Sequence, residues 1–361
     1  MKRFSKQTQL SHFGEEGQRA LAATSVLIIG CGGLASPVSL YLAAAGVGRL
    51  GLVDADTVEI SNLPRQVLFS ENEVGSLKVE AARKRILEMN ASVEVECFPD
   101  ELTSVNVAHI VKKYDILVDC TDNFTTKFLI NDAGIKFNKP VVYGSVTGFE
   151  GQVASFHAAK GSCYRCLYPS APKSVIQNCA EAGVLGPVVG VVSSAQALEC
   201  LKIALDLKNA GSIRPEYGQI VVSDFLNNRQ ERFLIPRRKD CLCQLPSSDL
   251  ELTPEGGQLC RSKVRTITFA TASTYPELGI LDVREENEFL AGAIAGAQHW
   301  ALSKLESGQQ PAFLDNHKNW LVYCARGKRS EQAVSFLTSS HSNLNFWSLE
   351  NGMYSLTEVQ K

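Results

Sequence analysis

The sequence predicts an α/β protein with two domains, in which a doubly wound parallel sheet is followed by a second, smaller α/β domain. Three observations support this prediction. At 361 residues, the chain is long enough for two hydrophobic cores. The apolar run Val26 to Ile29 leads into a glycine-rich turn and a helix, as expected for a strand that is covered on both faces. A second strand, turn and helix pattern covers Trp320 to Ser330, after a polar stretch that contains proline and glycine.

The overall composition excludes several classes of protein. The chain is 45% apolar and 20% charged, and its formal net charge of −2 gives no reason to expect nucleic-acid binding. No apolar signal segment is visible at the N-terminus, and the least polar stretch, Ala182 to Leu198, is interrupted by proline and glycine. We therefore expect a soluble, cytoplasmic protein that binds neither nucleic acid nor membranes. Eleven cysteines in such a protein indicate metal or sulfur chemistry rather than disulfides.

The first glycine-rich turn has the features of a phosphate-binding loop. Gly30, Gly32 and Gly33 leave the turn without side chains, so a phosphate can approach the backbone amides and the positive end of the next helix. Asp54 follows the second strand at about the spacing at which an acidic residue contacts a ribose. This pattern alone fits a nicotinamide-dependent dehydrogenase as well as a nucleotide-activating enzyme.

The residues that follow favour a triphosphate as the ligand. Arg65 and Lys78 supply two cations close in sequence to the turn, and such cations neutralise the several charges of a triphosphate. The segment Gly75 to Lys78 is predicted to open a helix that runs to about Asn90. Asp122 lies at the end of the predicted buried strand Tyr114 to Asn123, where a carboxylate can hold Mg²⁺ against phosphates. The alternative is that Asp122 or Asn123 caps the next helix.

The cysteines fall into groups with different predicted roles. Cys163 and Cys166 form a CxxC pair, and Cys241 and Cys243 form a CxC pair that is one residue shorter. Two pairs favour a four-thiolate zinc site, with reduced thiols or a redox pair as the alternative. Cys179 lies between the pairs in a loop bounded by glycine, where a thiol is either a nucleophile or inert. We expect four other cysteines only to fill the hydrophobic core, namely Cys31, Cys97, Cys120 and Cys200.

The second domain contains a cysteine in a position that favours reactivity. We predict a first domain over residues 1–243, a linker over 244–263 and a second domain over 264–361. Cys324 ends a buried strand, and the following loop carries three cations and opens a helix. Loop amides, cations and a helix N-terminus together favour a thiolate. The alternative is a buried cysteine with solvated basic neighbours.

Residues 3–243 resemble the ThiF/MoeB family, the bacterial relatives of ubiquitin-activating enzymes. The resemblance rests on motifs that occur in order, which are GCGGLAS, LVDADTVEISNLPRQ, GSLK, DCTDN, CYRC, NCAEAGVLGPVVG and the closing cysteine pair. The resemblance implies a Rossmann-like doubly wound sheet. Family members use ATP and Mg²⁺ to adenylate the C-terminal Gly-Gly carboxylate of a small β-grasp protein.

The same resemblance implies roles for individual residues. Binding of ATP and its metal is implied for Gly30, Gly32, Gly33, Asp54, Ser61, Asn62, Arg65, Lys78, Asp122 and Asn123. The zinc ligands would be Cys163, Cys166, Cys241 and Cys243. Cys179 stands where some members carry a thiol that accepts the activated carboxylate or sulfur. Lys6 stands where the family usually has an arginine that reaches into the partner subunit's ATP site, so we expect a homodimer. Lys127 also occupies a position that is commonly arginine.

Residues 264–361 resemble a rhodanese domain, with the motifs LDVREENEF, GAIAGA, YCARGKRS and SLENGM in order. The family carries a persulfide on the cysteine that corresponds to Cys324. Four residues separate Cys324 from Arg329, which is the shorter, sulfur-sized loop rather than the five-residue spacing of related phosphatases. Family members often show Gly-Gly and a tryptophan where this chain has Asn351-Gly352 and Tyr354, which is a peripheral difference.

Together these features predict an enzyme that adenylates a sulfur-carrier protein of the ThiS or MoaD type and then transfers sulfur to it as a thiocarboxylate. A donor such as a cysteine desulfurase would load Cys324. The predicted catalytic residues are Arg65, Lys78, Asp122, Cys179, Cys324 and Arg329. One alternative is a conjugating activator that works through a Cys179 thioester, and another is a non-catalytic scaffold that binds the carrier. The pathway, whether thiamine, molybdopterin, tRNA thiolation or cysteine, stays open.

Overall fold

The computed structural model describes residues 2–169, 183–246, 250, 252, 266–306, 309–341 and 344–353. The chain divides into two compact units, Met1–Gly257 and Gln258–Lys361. The division falls within residues 244–263, the stretch for which the sequence predicts a linker. Each unit contains one sheet whose strands are mostly or wholly parallel.

An eight-stranded sheet forms the centre of the first unit, with the strand order β3-β2-β1-β4-β5-β6-β7-β8. Strands β1 to β5 are parallel, and β6 to β8 extend the sheet in antiparallel fashion. The strands are β1 Ser25–Ile29, β2 Arg49–Val53, β3 Glu94–Phe98, β4 Ile116–Asp119, β5 Val141–Thr147, β6 Glu150–Phe156, β7 Gln219–Asp224 and β8 Arg229–Leu234.

Helices cover both faces of the parallel part of this sheet. In the described residues they are α1 Ser5–Thr8, α2 Gly14–Ala22, α3 Ala35–Ala45, α4 Lys78–Met89, α5 Val107–Val111, α6 Phe124–Lys136, α7 Tyr164–Leu167 and α8 Gly186–Leu207. Strand β1 is buried on both faces, because Val26 and Ile28 belong to one hydrophobic core and Leu27 and Ile29 to another. This explains why its sequence is continuously apolar instead of alternating.

Helix α8 is the most apolar element, and it begins earlier than the sequence suggested. It is the one described helix long and apolar enough to cross a membrane, but 56% of its apolar window is buried inside the protein. It packs against α3 and the strands β5 and β6, which is the behaviour of a core helix. From the sequence alone, the prolines and glycines in this region predict irregular chain up to Gly190 and a helix from Gly190 to Lys208. The helix instead begins at Gly186, since Pro187 fits a first turn, where its missing N–H is not needed.

The strand order reverses at β1, and this reversal creates the crevice in which doubly wound sheets bind ligands. At the carboxyl end of β1, the N–H of Gly30 donates to the Val53 carbonyl of β2 at 2.9 Å. The N–H of Cys120, just after β4, donates to the Ile29 carbonyl at 2.9 Å. The glycine turn, the end of β2 and the end of β4 therefore share one edge of the sheet.

The second unit contains a five-stranded parallel sheet with the order β11-β10-β12-β13-β9. Its strands are β9 Thr266–Ile267, β10 Leu278–Asp282, β11 Gln298–His299, β12 Asn319–Tyr323 and β13 Asn345–Leu349. Its α-helices, in the described residues, are α9 Phe269–Ala272, α10 Glu286–Leu290, α11 Leu302–Glu306 and α12 Lys328–Ser340. Cys324 directly follows the central strand β12, at the carboxyl edge of the sheet.

The close packing around β2 gives a prediction about stability. A methyl group added at Gly51 would lie 2.4 Å from the Tyr114 hydroxyl and 2.7 Å from Leu27. Both neighbours are fully buried, so Gly51→Ala should lower the free energy of unfolding by about 1–3 kcal/mol. Urea denaturation followed by circular dichroism measures this change. Gly32→Ala is the control, because its added carbon would lie 3.7 Å from its nearest neighbour. Equal stability of both variants would contradict the packing described.

Candidate functional site

The glycine turn after β1 is held tightly by its neighbours. Gly30 has a φ of +84°, and a Cβ there would lie 2.9 Å from the Cys120 carbonyl oxygen. A Cβ at Gly33 would lie 3.1 Å from the Val189 side chain of α8 and 3.3 Å from the Arg65 carbonyl oxygen. The turn therefore lies between the end of β4, the first turns of α8 and the segment that carries Arg65.

Asp54 links the glycine turn to the end of β2. Its carboxylate accepts a hydrogen bond from the Cys31 N–H at 2.6 Å and another from the Asp56 N–H at 2.8 Å. Burial raises the pKa of Asp54, and the nearby Lys78 ammonium opposes that rise. Each carboxylate oxygen has a further lone pair, so Asp54 can also accept a hydrogen bond from a ribose hydroxyl.

Lys78 is a nearly buried cation beside Asp54. It is 6% exposed and is the first residue of α4, as the sequence predicted. Its Nζ atom lies 2.8 Å from the carboxylate of Asp56, whose side chain is 72% exposed. Sequence reasoning did not single out Asp56, and its position two residues after Asp54 is the only signal available.

The segment between β2 and α4 forms a compact turn that holds Arg65. The 3₁₀ turn Ile60–Asn62 is closed by a hydrogen bond from the Glu59 N–H to the Asn62 side chain at 3.3 Å. The guanidinium of Arg65 donates to the Ser61 carbonyl at 2.9 Å. Among the described residues no carboxylate forms an ion pair with Arg65, so its charge is available to a ligand.

Gln66 is a further polar side chain at the glycine turn, and the sequence analysis did not select it. It is 4% exposed, and its Oε1 has no hydrogen-bond partner among the described residues. Its Nε2 would lie 3.7 Å from a Cβ at Gly32. Nothing in the sequence distinguishes this buried glutamine from a solvated one.

Asp122 and Asn123, the carboxylate and the amide that follow β4, have different surroundings. Asn123 caps α6, because its side chain accepts a hydrogen bond from the Thr126 N–H at 2.9 Å. This is the capping role that the sequence left open. Asp122 is exposed at the same edge of the sheet, where a carboxylate can reach a bound metal.

The ammonium group of Lys127 forms its contacts in the interior of the protein. Its Nζ lies 3.1 Å from the Asp119 carboxylate and 3.1 Å from the Gly144 carbonyl oxygen, above the ring of Tyr143. The side chains of Lys127 and Asp119 are only 6% and 3% exposed. The lysine at this commonly arginine position therefore ties α6 to the end of β4 and the middle of β5, and its charge is already neutralised.

Lys6 lies away from the glycine turn of its own chain. It is exposed on α1, and its neighbour Gln7 donates to the Ala45 carbonyl at the far end of α3, at 3.1 Å. Helix α3 has 11 residues, so about 16 Å separates that end from the glycine turn. The structure does not bring Lys6 to the site with the other predicted nucleotide-binding residues.

Four cysteines form a cluster that matches a tetrahedral metal site. Cys163, Cys166, Cys241 and Cys243 are buried, and their sulfur atoms all lie within 4.8 Å of one another. Three of the sulfur–sulfur distances are 3.5, 3.6 and 3.9 Å. Zinc–sulfur bonds of about 2.3 Å in a tetrahedron require about 3.8 Å between sulfurs. The short CxC pair fits because the 3₁₀ turn Leu242–Gln244 places both of its side chains in the cluster.

The close approach and burial of the thiols shift their pKa values in opposite directions, upwards for Cys163 and Cys243 and downwards for Cys241. A hydrogen bond from the Cys163 thiol lowers the pKa of Cys241 to about 5, whereas burial raises the pKa of Cys243 to about 12. The residues that could hold the metal are therefore the four that the sequence predicted. Cys179, the predicted reactive thiol, lies outside the described residues.

The residues inside the CxxC pair connect the cluster to α6. The guanidinium of Arg165 makes two hydrogen bonds to the Asp132 carboxylate, at 2.7 and 2.6 Å. The N–H of Tyr164 donates to the Asn131 side chain at 2.8 Å. The cysteine cluster thus fixes the helix whose first turn follows Asp122.

Cys324 in the second unit is surrounded by hydrogen-bond donors. It is 1% exposed, and its sulfur accepts a hydrogen bond from the Gly327 N–H at 3.2 Å. The Ser330 hydroxyl lies 3.6 Å from the same sulfur. Gly327 has a φ of +92°, a conformation that turns the loop around the sulfur and that favours glycine.

Arg329, which lies in the first turn of α12, is fixed by α10. Its guanidinium makes two hydrogen bonds to the Glu288 carboxylate, at 2.6 and 2.7 Å. This pairing lowers the pKa of Glu288 to about 2. The sequence predicted Arg329 as a loop residue but gave no sign of its partner, which lies 41 residues earlier.

Comparison with known protein families identifies the class of the protein. The model of the ThiF family matches residues 4–245, and the model of the rhodanese-like domain matches residues 270–358. The chain therefore belongs to the ThiF family and carries a rhodanese-like domain. This confirms both resemblances and the predicted fold class.

Individual relatives match either most of the chain or about two thirds of it. The chain is 45% identical to the adenylyltransferase and sulfurtransferase MOCS3 of Sus scrofa, over 93% of this chain and 80% of that protein. It is 43% identical to a sulfur carrier protein adenylyltransferase of Thermus thermophilus, over 66% of this chain and 89% of that one. The crystal structure of E. coli MccB with ATP has a TM-score of 0.56 at 24% identity, covering 67% of this chain and 74% of MccB, and it shows the fold alone. The prediction of an enzyme that combines adenylyltransferase and sulfurtransferase activities is confirmed.

The cysteine cluster predicts a measurable metal content. The purified protein should contain about one zinc ion per chain, and Cys243→Ala should lose it, because three thiolates leave a structural site incomplete. Elemental analysis together with a thermal unfolding scan measures both the loss and the accompanying destabilisation. Cys97→Ser is the matched control, since Cys97 lies outside the cluster. Full zinc content in Cys243→Ala would contradict this assignment.

The Arg329–Glu288 pair predicts a pH-dependent contribution to stability. Because the folded-state pKa of Glu288 is depressed, the pair stabilises the second unit above the ordinary carboxyl pKa of 4.5, and the effect disappears as the pH falls towards 2. Glu288→Gln should therefore cost about 0.5–1 kcal/mol at neutral pH, because both side chains are about one-third exposed.

Tryptophan fluorescence can follow this unfolding, since Trp300, Trp320 and Trp347, the three tryptophans of the chain, all lie in the second unit. Glu286→Gln, on the exposed side of the same helix, is the control. A cost for Glu288→Gln that is independent of pH would contradict the pairing.

Proposed function

We propose that this protein adenylates the C-terminal Gly-Gly carboxylate of a ubiquitin-like sulfur-carrier protein and then supplies sulfur from a persulfide on Cys324. The observation that carries the proposal is that one chain joins a glycine turn with two nearby cations to a cysteine whose sulfur accepts a hydrogen bond from the Gly327 N–H. The similarity to adenylyltransferases and sulfurtransferases supports the same assignment.

In the adenylation step the nucleotide lies at the carboxyl edge of the first sheet. The glycine turn receives the phosphates, and Asp54 accepts a hydrogen bond from the ribose. The carrier carboxylate attacks the α-phosphorus of ATP, and pyrophosphate leaves. Arg65 and Lys78 offset the repulsion between the two anions and stabilise the leaving group. No general base is required, because the nucleophile is already ionised.

A magnesium ion would be held by Asp122, the exposed carboxylate at this edge. When bound, it neutralises phosphate charge. Asn123 orients the beginning of α6 next to it through its capping hydrogen bond. We assign zinc to the cysteine cluster in a structural role, since all four ligands are protein side chains and the cluster is buried.

In the sulfur-transfer step the terminal sulfur of the Cys324 persulfide attacks the acyl carbon of the adenylate, and AMP leaves. The product is an acyl disulfide between the carrier and Cys324. A thiol then attacks the Cys324 sulfur, which leaves a protein disulfide and releases the carrier thiocarboxylate. Cys179 is our candidate for that thiol, and a cellular thiol reductant would restore both cysteines. A cytoplasmic cysteine desulfurase is the kind of donor that would reload Cys324.

The carrier requires an apolar surface, and the antiparallel extension of the sheet provides one. A groove of about 270 Å³ is lined by residues of β7 and β8 and by Tyr168, beside the cysteine cluster. Phe233 and Leu234 on β8 are 49% and 77% exposed. We propose that the β-grasp carrier packs here and extends its C-terminal tail towards the glycine turn.

We also propose that the protein is a homodimer that associates through α3 and α8. A groove of about 660 Å³ lies between these helices. It is lined by apolar side chains that include Tyr41 and Val191, which are 56% and 54% exposed. A second copy on this face would cover both residues. In such a dimer, the nucleotide site that Lys6 serves would be that of the partner subunit and not its own.

Pyrophosphate exchange tests the adenylation step. With a carrier that ends in Gly-Gly, the protein should exchange labelled pyrophosphate into ATP, and Lys78→Ala should reduce the rate about 100-fold because it removes charge stabilisation. Lys84→Ala is the matched control, since Lys84 is an exposed lysine on the same helix. Cys324→Ser should keep the exchange and lose sulfur transfer. Exchange that is unaffected by Lys78→Ala would contradict the assigned site.

Analytical ultracentrifugation tests the dimer. Val191→Glu should convert a dimer into monomers, because it places a charge in the apolar groove between α3 and α8. Leu226→Glu is the control, since Leu226 is 66% exposed but lies outside that groove. A wild-type monomer, or a dimer that persists in Val191→Glu, would contradict the proposed interface.

A further inference from the structure

Asp56 forms an ion pair with Lys78, although the proposed function assigns it no role. We propose that Asp56 holds Lys78 while no nucleotide is bound, and that the phosphates of ATP displace Asp56 from Lys78. The inference rests on the proposed function, because it requires the phosphates to lie at Lys78. It makes Asp56 a positioning residue that tunes the binding and release of nucleotide.

The two partners of the ion pair differ in their surroundings. The side chain of Lys78 is 8% exposed, whereas that of Asp56 is 72% exposed, and the charged atoms lie 2.8 Å apart. A nearly buried ammonium without a partner is costly, so Lys78 requires a nearby anion at all times. The carboxylate of Asp56 has no such requirement, because water can solvate it.

The backbone around the pair holds Lys78 in place when the carboxylate leaves. The N–H of Lys78 donates to the Asp56 carbonyl at 2.9 Å, and the Asp56 N–H donates to the Asp54 carboxylate at 2.8 Å. A β-bridge between Thr57 and Leu77 joins the two segments. Rotation of the Asp56 side chain into solvent breaks none of these contacts.

Lys78 lies close to the glycine turn, because its N–H donates to Asp56, the Asp56 N–H donates to Asp54, and Asp54 accepts a hydrogen bond from Cys31 of the turn. Its charge acts on the Asp54 carboxylate and on Cys31 within the glycine turn. A phosphate in the turn therefore competes with Asp56 for the same ammonium. The carboxylate also repels that phosphate as a nearby like charge.

The exchange of partners by Lys78 affects both the binding of ATP and the release of pyrophosphate. Nucleotide binding is weaker than it would be with a free Lys78, because one ion pair must break before another forms. After the carboxylate has been adenylated, Asp56 can recapture Lys78 and so help pyrophosphate to leave. Asp56 thus weakens the binding of ATP and speeds product release.

Equilibrium binding of ATP and of pyrophosphate to the full chain tests this inference. Asp56→Asn should bind each ligand roughly three- to tenfold more tightly, since a like charge beside the bound phosphates is removed. Glu80→Gln is the matched control. It removes an equally charged, 52% exposed side chain from α4, the helix that begins at Lys78, and it leaves Lys78 untouched. In the carrier-dependent reaction, Asp56→Asn should lower both the KM for ATP and kcat.

The outcomes separate the inference from the proposed function. If the wild type binds ATP and Lys78→Ala weakens that binding, but Asp56→Asn has unchanged or weaker affinity, the displacement model is wrong and the proposed function stands. Weaker binding by Asp56→Asn only when Mg²⁺ is present would make Asp56 a metal ligand, which also overturns the model. If the wild type does not bind ATP, the proposed function itself fails.

Discussion

The reversal of the strand order at β1 is the constraint on which the first unit depends. Because β2 and β4 flank β1 in parallel, the chain must leave all three strands at the same edge of the sheet. That edge therefore contains the glycine turn, Asp54 and the residues after β4. The sheet topology alone brings them together, and no long-range charge attraction is needed. The two cations enter from segments that pack against the turn, Arg65 through contact with Gly33 and Lys78 at the start of α4.

The charged residues near the sites fall into two groups. Lys127 and Arg165 each have a buried carboxylate partner, and together they join α6 to the sheet and to the cysteine cluster. Breaking such a buried pair leaves an uncompensated charge, so these residues hold the scaffold in one arrangement. Arg65 and Lys78 differ, since one has no carboxylate partner among the described residues and the other has a partner that is mostly in water. Charges that can change partners are the ones suited to a polyanionic ligand.

Local features of the site could be predicted from the sequence, whereas the contacts between side chains that are distant in sequence could not. The glycine turn, the start of α4 at Lys78 and the four cysteines each have a residue type and spacing that chemistry restricts. The internal use of Lys127, the burial of Gln66 and the pairing of Glu288 with Arg329 depend on contacts between distant segments. Helix α8 began four residues earlier than predicted, because the glycines in that stretch suggested a loop while Pro187 in fact occupies a first turn. The role of Cys179 stays a prediction, since it lies outside the described residues.

The central claim is that one chain both activates a carrier carboxylate and supplies the sulfur that replaces AMP. The most direct test loads Cys324 of the full-length protein with persulfide, adds ATP and a carrier that ends in Gly-Gly, and follows the carrier C-terminus by mass spectrometry. The account predicts a carrier thiocarboxylate that forms only when ATP and the persulfide are both present. Pyrophosphate release with an intact persulfide and a carrier that acquires no sulfur would contradict it.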